Sequence, residues 1–145
     1  MKDRPIGVFD SGVGGLTCAK ELLKLVPNEN MIYLGDTARM PYGVNTKETL
    51  VGYTNDDVNF LQRRNVKLIV AACGTVSSNV PANQIKNLSV PFIDVISPTI
   101  SAAVKATKNK RIGIIGTPAT IKSGSFDQRL KMFDKDIETV SQGAP

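Results

Sequence analysis

The sequence contains no histidine and only two cysteines among its 145 residues. The absence of histidine excludes a cysteine–histidine nucleophile pair and imidazole ligation of a metal by this chain alone. Cys18 and Cys73 are too few for a disulfide framework, so we expect both to be reduced thiols. The longest apolar run is far shorter than the roughly 20 residues that a membrane span needs, so we expect no membrane partner.

The amino terminus, MKDRPIGVFD, does not resemble a secretion signal. Asp10 interrupts its apolar stretch, and no small-residue cleavage site follows. We therefore expect a cytoplasmic protein.

The net charge is +5, but the basic residues are dispersed. The densest group, Lys105, Lys108, Lys110 and Arg111, lies at the predicted end of a helix, where cations complement the helix dipole. No aromatic residues are interleaved with it, as a nucleic-acid site would need. A solvated helix end is the better interpretation, and we expect no nucleic-acid partner.

Short β-rich runs alternate with helical patterns along the chain. Strands are predicted at residues 6–9, 31–34, 68–72, 92–96, 111–116 and 137–141. Helices are predicted at residues 16–26, 47–64, 75–88 (with Pro81 forcing a kink or a new turn), 98–107 and within 119–133. This alternation predicts an α/β fold, an open parallel sheet with helices on both faces. Because the chain ends at Pro145, directly after a predicted strand, we expect the natural protein to continue.

Small polar residues follow the predicted strands. In an open parallel sheet, ligands bind at the carboxyl ends of the strands. Groups rich in backbone N–H there suit an anionic small molecule. The groups are DSGVGG at residues 10–15, Asp36 with Thr37, PYG at residues 41–43, CGTVSS at residues 73–78, Ser97, and TPAT at residues 117–120.

The glycine-rich loop at residues 10–15 does not match a nucleotide-binding motif. No Lys-Ser/Thr pair follows Gly15, and the glycine spacing is not G-x-G-x-x-G. Asp10 would also repel a pyrophosphate. A structural turn without a ligand remains an alternative. We favour a site in which Asp10 and Ser11 meet a ligand ammonium group or an adjacent thiol.

Cys73 is the strongest candidate for a reactive residue. It follows a buried strand and comes just before a predicted helix start, a position that favours the thiolate. Thr75, Ser77 and Ser78 surround it with polar groups, although a buried, inert cysteine is the alternative. Cys18 lies inside the first predicted helix, where plain packing is expected.

Other residues at the strand ends have two interpretations each. Tyr42 either packs on the domain or shapes a pocket, with its hydroxyl or the Gly43 N–H touching a ligand. Asp36 is expected to cap a turn. Thr117 and Thr120 serve either as caps of the next helix or as ligand contacts.

Four stretches together resemble the aspartate/glutamate racemase family, above all its glutamate-specific members. They are IGVFDSGVGGLT at residues 6–17, YLGDTARMPYG at 33–43, AACGTVSSN at 71–79 and RIGIIGTPATIKSGSF at 111–126. The resemblance implies a bacterial isomerase that converts L-glutamate to D-glutamate for peptidoglycan, without pyridoxal phosphate or metal, and a homodimer when full length. It also implies two pseudo-symmetric lobes. Residues 1–145 would be the amino-terminal lobe, with an alternative start of the second lobe at about residue 98, and the carboxyl-terminal half would be absent.

The resemblance also implies a mechanism in which two cysteines flank the substrate α-carbon, one removing its proton and the other delivering a proton to the opposite face. Cys73 matches the first cysteine, and Asp10 matches a carboxylate that assists thiol ionisation or meets the ammonium group. The positions that resemble substrate contacts are Asp10, Ser11, Tyr42, Gly43, Gly74, Thr75, Thr117 and Thr120.

Two departures from the family pattern bear on function. The family usually has Asn where this chain has Gly74, so one side-chain contact is missing. The opposing cysteine, with a neighbouring Thr-His pair, would lie beyond the end of this chain, so we expect the chain alone to be inactive. Aspartate or hydantoin racemase is an alternative within the family, and an amino-acid-binding module without turnover is an alternative outside it.

Overall fold

Strands and helices alternate along the chain as the sequence predicted. A computed structural model describes residues 3–144, in which six strands and six helices are found. The strands are β1 (Ile6–Asp10), β2 (Met31–Gly35), β3 (Leu68–Ala71), β4 (Phe92–Asp94), β5 (Arg111–Gly116) and β6 (Glu138–Gly143). The helices are α1 (Leu16–Leu25), α2 (Lys47–Gln62), α3 (Gly74–Asn79), α4 (Ile96–Ala106), α5 (Pro118–Ser123) and α6 (Ser125–Phe133).

The strands form two parallel sheets. The larger sheet has the order β2-β1-β3-β4, and the smaller one consists of β5 and β6. The parallel α/β fold is confirmed, but the strands divide between two sheets rather than forming one. β4, which is only 3 residues long and partly exposed, is the edge strand of the larger sheet beside β3. The chain leaves β1 towards β2 on one side and returns to β3 on the other, and such a switch point is where open α/β sheets bind ligands.

Helices cover both faces of the larger sheet. Along β1, Val8 and Phe9 point to opposite faces, as the two-residue period of a strand requires. One face packs against the inner side of α2, and the other packs against α1. The smaller sheet has its own buried cluster, formed by Ile96, Ile100, Ile114, Leu130 and Ile137.

Two predicted helices are interrupted in the structure, whereas the other three differ from their predicted bounds by only one or two residues. The helix predicted at residues 75–88 ends at Asn79, and a separate 3-10 turn, Ala82–Gln84, follows Pro81. Pro81 has no N–H to continue the helix, so the expected new turn is confirmed. The helix predicted within residues 119–133 is two helices, because Gly124 between them adopts a left-handed φ of 64°.

The basic residues near the end of α4 lie at the surface. Lys110 forms ion pairs with Asp134 and Asp136, and Arg111 pairs with Glu138. These residues are therefore solvent-exposed, as expected, and Lys110 and Arg111 are paired with carboxylates. No helix within residues 3–144 is long and apolar enough to cross a bilayer.

Gly43 joins the two sheets at a close approach. It is buried in the 3-10 turn Tyr42–Val44, which follows β2 of the larger sheet. A Cβ atom at this position would lie 2.4 Å from Cβ of Thr117, the residue that follows β5 of the smaller sheet. Because residue 43 is a glycine, the turn Tyr42–Val44 approaches Thr117, the residue that precedes α5, without a clash.

Gly43→Ala is expected to destabilise the chain by about 1–3 kcal/mol, because Thr117 must move to accommodate the added methyl group. The matched control is Gly52→Ala on α2, where an added Cβ meets nothing within 4 Å. There the substitution should instead stabilise the helix by about 0.5–1 kcal/mol. Urea unfolding followed by circular dichroism measures both changes. Equal effects at the two positions would show that the close approach to Thr117 is not a constraint.

Candidate active site

The switch point between β1 and β3 brings Ser11 and Cys73 together. β1 pairs with β3 in register up to Phe9 and Ala71, so the residues that follow these two positions meet above the sheet. Cys73 Sγ lies 3.4 Å from Ser11 Oγ and donates a hydrogen bond to it. Cys73 is also the residue that precedes α3, in extended conformation with φ −100° and ψ 119°. The predicted neighbourhood of these two side chains is thus present.

The glycine-rich loop holds the Asp10 carboxylate. Gly15 N–H donates to Asp10 Oδ2 at 2.8 Å, and Ser11 Oγ lies 3.5 Å from Asp10 Oδ1. A Cβ atom on Gly15 would lie 2.7 Å from Asp10 Cβ, so a larger residue would displace the carboxylate. The loop is therefore a turn that positions Asp10, and one hydroxyl links this carboxylate to the Cys73 thiol.

Tyr33 of β2 contacts the glycine-rich loop through a hydrogen bond. Its hydroxyl donates to the carbonyl oxygen of Gly12 at 3.0 Å. Burial and the nearby Asp10 charge raise the pKa of Tyr33 to about 12, so its hydroxyl keeps its proton at neutral pH. Sequence reasoning did not single out Tyr33, which the strand pattern marks only as a β2 residue.

Cys73 is a buried thiol rather than a ready thiolate. It is 4% exposed, and burial raises the pKa of its thiol above the ordinary value. The Ser11 side chain and the backbone N–H groups of Val76 and Ser11 hold the pKa down, but less strongly, and the Asp10 charge raises it further. The prediction that the position favours the thiolate is wrong for this chain, because desolvation outweighs the hydrogen bonds that would stabilise the anion.

Hydroxyl groups from both sheets meet beside Cys73. Thr75 Oγ1 lies 3.0 Å from Thr117 Oγ1, which in turn lies 3.0 Å from Thr120 Oγ1. Thr117 also accepts from the Thr120 N–H, so it caps α5 while it contacts Thr75. The cap interpretation is therefore confirmed for Thr117 and wrong for Thr120, which lies inside α5, and the ligand contacts of both residues stay predictions. Thr120 is buried behind it and contacts the Ser78 hydroxyl at 3.4 Å.

Asn79 links the two sheets as well, although sequence reasoning did not single it out. Its amide donates to the carbonyl oxygen of Thr75 at 2.9 Å and to that of Ala119 at 3.3 Å. An open cavity of about 620 Å³ adjoins this junction. Its lining includes Gly43, Asn79, Pro118 and Ala119, with Lys47 and Lys122 at the exposed edge.

Gly74 leaves open space in the site. It is exposed at the start of α3, and an added Cβ would meet nothing within 4 Å. A larger residue would therefore fit at this position without a clash, and the effect of Gly74 on substrate contact stays a prediction.

Tyr42 packs inward, with its hydroxyl between two carboxylates. It is 1% exposed, and its hydroxyl contacts the carboxylates of Asp36 and Asp57. Two ligand contacts were predicted at this turn, the Tyr42 hydroxyl and the Gly43 N–H. The hydroxyl already binds two carboxylates, which leaves the backbone of Gly43.

Asp36 makes no side-chain cap of the turn that follows it, so the capping interpretation is wrong. Its carboxylate binds Arg39 and Tyr42 instead. Sequence reasoning missed Asp57, because its position on α2 carries no strand-end signal.

Two other residues considered in the sequence, the second thiol Cys18 and the strand-end residue Ser97, have partners other than Cys73. Cys18 packs with Val8 and Val70 on the α1 face of the sheet, as expected. Ser97 sits in the first turn of α4, where its N–H donates to Asp94 and its hydroxyl accepts from Arg129. Within residues 3–144, no group of three or more Cys, Asp or Glu side chains is arranged to hold a metal ion.

Comparison with known proteins finds similarity along the entire chain. A glutamate racemase from Lactococcus lactis subsp. cremoris is 44% identical over 145 residues, which cover 100% of this chain and 54% of that protein. The solved structure of a glutamate racemase isoform from Bacillus anthracis matches with a TM-score of 0.94 at 39% identity, covering 100% of this chain and 55% of the other. A glutamate racemase from Francisella tularensis, solved in complex with D-glutamate, matches with a TM-score of 0.87 at 38% identity, covering 97% and 53%.

This chain spans about half the length of the curated relatives that it matches. No family model matches it. Its sequence and its fold are both similar to one half of these racemases.

The raised pKa of Cys73 predicts slow alkylation. In a Cys18→Ala variant, which isolates Cys73, iodoacetamide should react more slowly at neutral pH than with a free thiol of pKa about 8.5. The rate should keep rising at pH values where the free thiol has levelled off, because a larger fraction of Cys73 is still protonated. Mass spectrometry of the modified chain measures the rate. A rate plateau at or below neutral pH would contradict the burial argument. The Cys73→Ala variant, which keeps Cys18, serves as the control.

Proposed function

Because the chain is homologous along its whole length to glutamate racemases, we propose that it forms the amino-terminal lobe of a cofactor-independent glutamate racemase. The observation that carries the proposal is the hydrogen-bonded line from the Cys73 thiol through the Ser11 hydroxyl to the Asp10 carboxylate. A thiol linked to a carboxylate at the ligand-binding edge of a parallel sheet suits proton transfer to and from carbon.

In the proposed reaction, a thiolate removes the α-proton of L-glutamate and leaves a carbanion. A thiol on the opposite side then donates a proton to the other face of that carbon, which gives D-glutamate. One sulfur gains a proton and the other loses one, so the exchange is balanced and needs no oxidant or metal. The reverse reaction uses the same two groups with their roles exchanged.

Burial raises the pKa of the Cys73 thiol, and this suits the role of proton donor directly. To act as the base, it must first lose its proton. The Ser11 hydroxyl accepts from Sγ in the neutral state and can turn to donate to the sulfur once it is an anion. We propose that Asp10 takes up the proton through Ser11, or meets the substrate ammonium group, and that Gly43, Gly74, Thr75, Thr117 and Thr120 contact the rest of the substrate.

A second base must come from outside this chain. Cys18 packs on the α1 face of the larger sheet, whereas Cys73 packs on the α2 face, so the two thiols cannot flank one carbon. We propose that a carboxyl-terminal half supplies the opposing cysteine with a Thr-His pair. The separate β5–β6 sheet, with its own buried cluster, supports placing the start of a second lobe near residue 98.

The proposed product would serve peptidoglycan synthesis in the bacterial cytoplasm, and the full-length enzyme would be a homodimer. The D-glutamate bound to the Francisella tularensis racemase supports glutamate as the ligand. Aspartate or hydantoin racemase remains a less favoured alternative within the same family.

A second candidate function is amino-acid binding without turnover. The observations that favour it are the open space at Gly74 and the protonated state of Cys73. The two functions differ in whether the α-carbon exchanges its proton with solvent.

The longer protein that contains this chain should convert L-glutamate to D-glutamate in D₂O with deuterium at the α-carbon. Cys73→Ala should lower this rate by a factor on the order of 10² to 10⁴, the usual contribution of a positioned acid or base. The 145-residue chain alone should show no turnover, because it contains one suitable thiol. Proton NMR of the α-position, together with chiral chromatography, measures exchange and inversion separately.

Cys18→Ala is the matched control and should leave the rate unchanged. Binding of glutamate without deuterium incorporation by the longer protein would favour the binding module. Turnover by the 145-residue chain alone would show that the requirement for a second half is wrong.

Gly74→Asn in the same longer protein is expected to lower KM for glutamate, because the amide can donate to a substrate carboxylate in space that is now empty. Gly74→Ala is the matched control: it removes glycine flexibility from the helix start but adds no donor. The two variants should have similar unfolding midpoints and differ in KM. An equal KM in both would show that the open space does not face the substrate.

A further inference from the structure

A buried cluster of charged and phenolic groups supports the turn that reaches the candidate active site. The Tyr42 hydroxyl contacts Oδ2 of Asp36 and lies 3.0 Å from Oδ2 of Asp57. Arg39 binds the same cluster: its Nε contacts Asp36, its Nη1 lies 2.7 Å from Asp56 and its Nη2 lies 3.0 Å from Asp57. The mechanism proposed above uses none of these carboxylates.

The hydroxyl of Tyr42 cannot satisfy both neighbours by itself. A phenol carries one proton, and an ionised carboxylate can only accept. Two oxygen–oxygen contacts at hydrogen-bonding distance therefore require a second proton, carried by one of the two carboxyl groups. Burial also raises the pKa of Tyr42, so the phenol keeps its own proton.

Asp57 is the better holder of the second proton. Its side chain is 4% exposed, against 11% for Asp36, whose contacted oxygen also accepts from Arg39. Burial raises the pKa of Asp57 to about 7, and the charges of Asp36 and Asp56 push in the same direction. A hydrogen bond donated by Tyr42 to the ionised form of Asp57, and the Arg39 charge, oppose this shift without cancelling it.

We propose that Asp57 is a positioning residue whose protonated carboxyl group donates to Tyr42 and holds the turn Tyr42–Val44 in place, and that loss of this proton loosens the turn. The turn carries Gly43, which contacts Thr117 at the junction of the two sheets. The proton on Asp57 therefore acts on the site through Tyr42 and Gly43 and does not touch a ligand itself. Only the effect on glutamate rests on the proposed function.

The direction of the pH dependence follows from the proton count. Asp57 faces Asp36, Arg39 and Tyr42 from the segment after β2, with Asp56 and Tyr53 on its own helix. An unfolded aspartate titrates at about 3.9. Between that value and about 7 the folded chain keeps a proton that the unfolded chain has lost. This group's contribution to stability therefore falls as pH rises through that window and is lost above it.

NMR of the isotopically labelled chain, without glutamate, tests the proposal. The side-chain carboxyl carbon of Asp57 should titrate with a midpoint near 7, and the Gly43 amide resonance should shift with the same midpoint. Asp57→Asn should abolish the Gly43 shift, because a neutral amide can still donate to Tyr42 but cannot lose the proton. Asp56→Asn is the matched control, a neighbouring and exposed carboxylate, and should keep the Gly43 titration with a lower midpoint, because the Asp56 charge raises the pKa of Asp57.

A carboxyl carbon of Asp57 that titrates in the ordinary range, about 3.9, would overturn the proposal even if Asp57→Asn does not fold. So would a Gly43 titration that persists in Asp57→Asn. Because no glutamate is present, failure to bind or racemise glutamate would remove the proposed function without affecting this result.

Discussion

The contact between the Cys73 thiol and the Ser11 hydroxyl is the interaction on which the site depends. It exists because β1 and β3 are adjacent and in register, so the residues that follow them meet at the switch point of the sheet. Asp10 is then held behind Ser11 by the N–H of Gly15. A thiol, a hydroxyl and a carboxylate thus come into line where the two paired strands end, with the glycine-rich loop holding the carboxylate.

Burial gives this line its chemical character. The thiol sits on the same buried face as the core of α2, and the loss of water around it outweighs the hydrogen-bond donors that would stabilise an anion. A thiol with a raised pKa can donate a proton, but it must first be deprotonated before it can act as a base.

The supports of the site are polar and lie between the two sheets. Thr75 meets Thr117, Asn79 reaches Ala119, and Gly43 fits against Thr117. Behind Gly43, the phenol of Tyr42 lies between two carboxylates that cannot both be ionised and hydrogen-bonded to it. Buried polar groups are costly unless each is satisfied, so such a cluster holds its turn in one arrangement and does so in a proton-dependent way.

The sequence by itself determined the alternation of strands and helices, the parallel arrangement and the position of Cys73, Asp10 and the threonines at strand ends. These features follow from local periodicity and from the rule that parallel strands present their carboxyl ends at one edge. Only the tertiary structure decided that the strands form two sheets, that the Cys73 pKa is raised, and that Tyr42 turns inward to Asp57. The reason is physical: desolvation and hydrogen-bond partners depend on residues far apart in the chain, and no local pattern records which of them will surround a given atom.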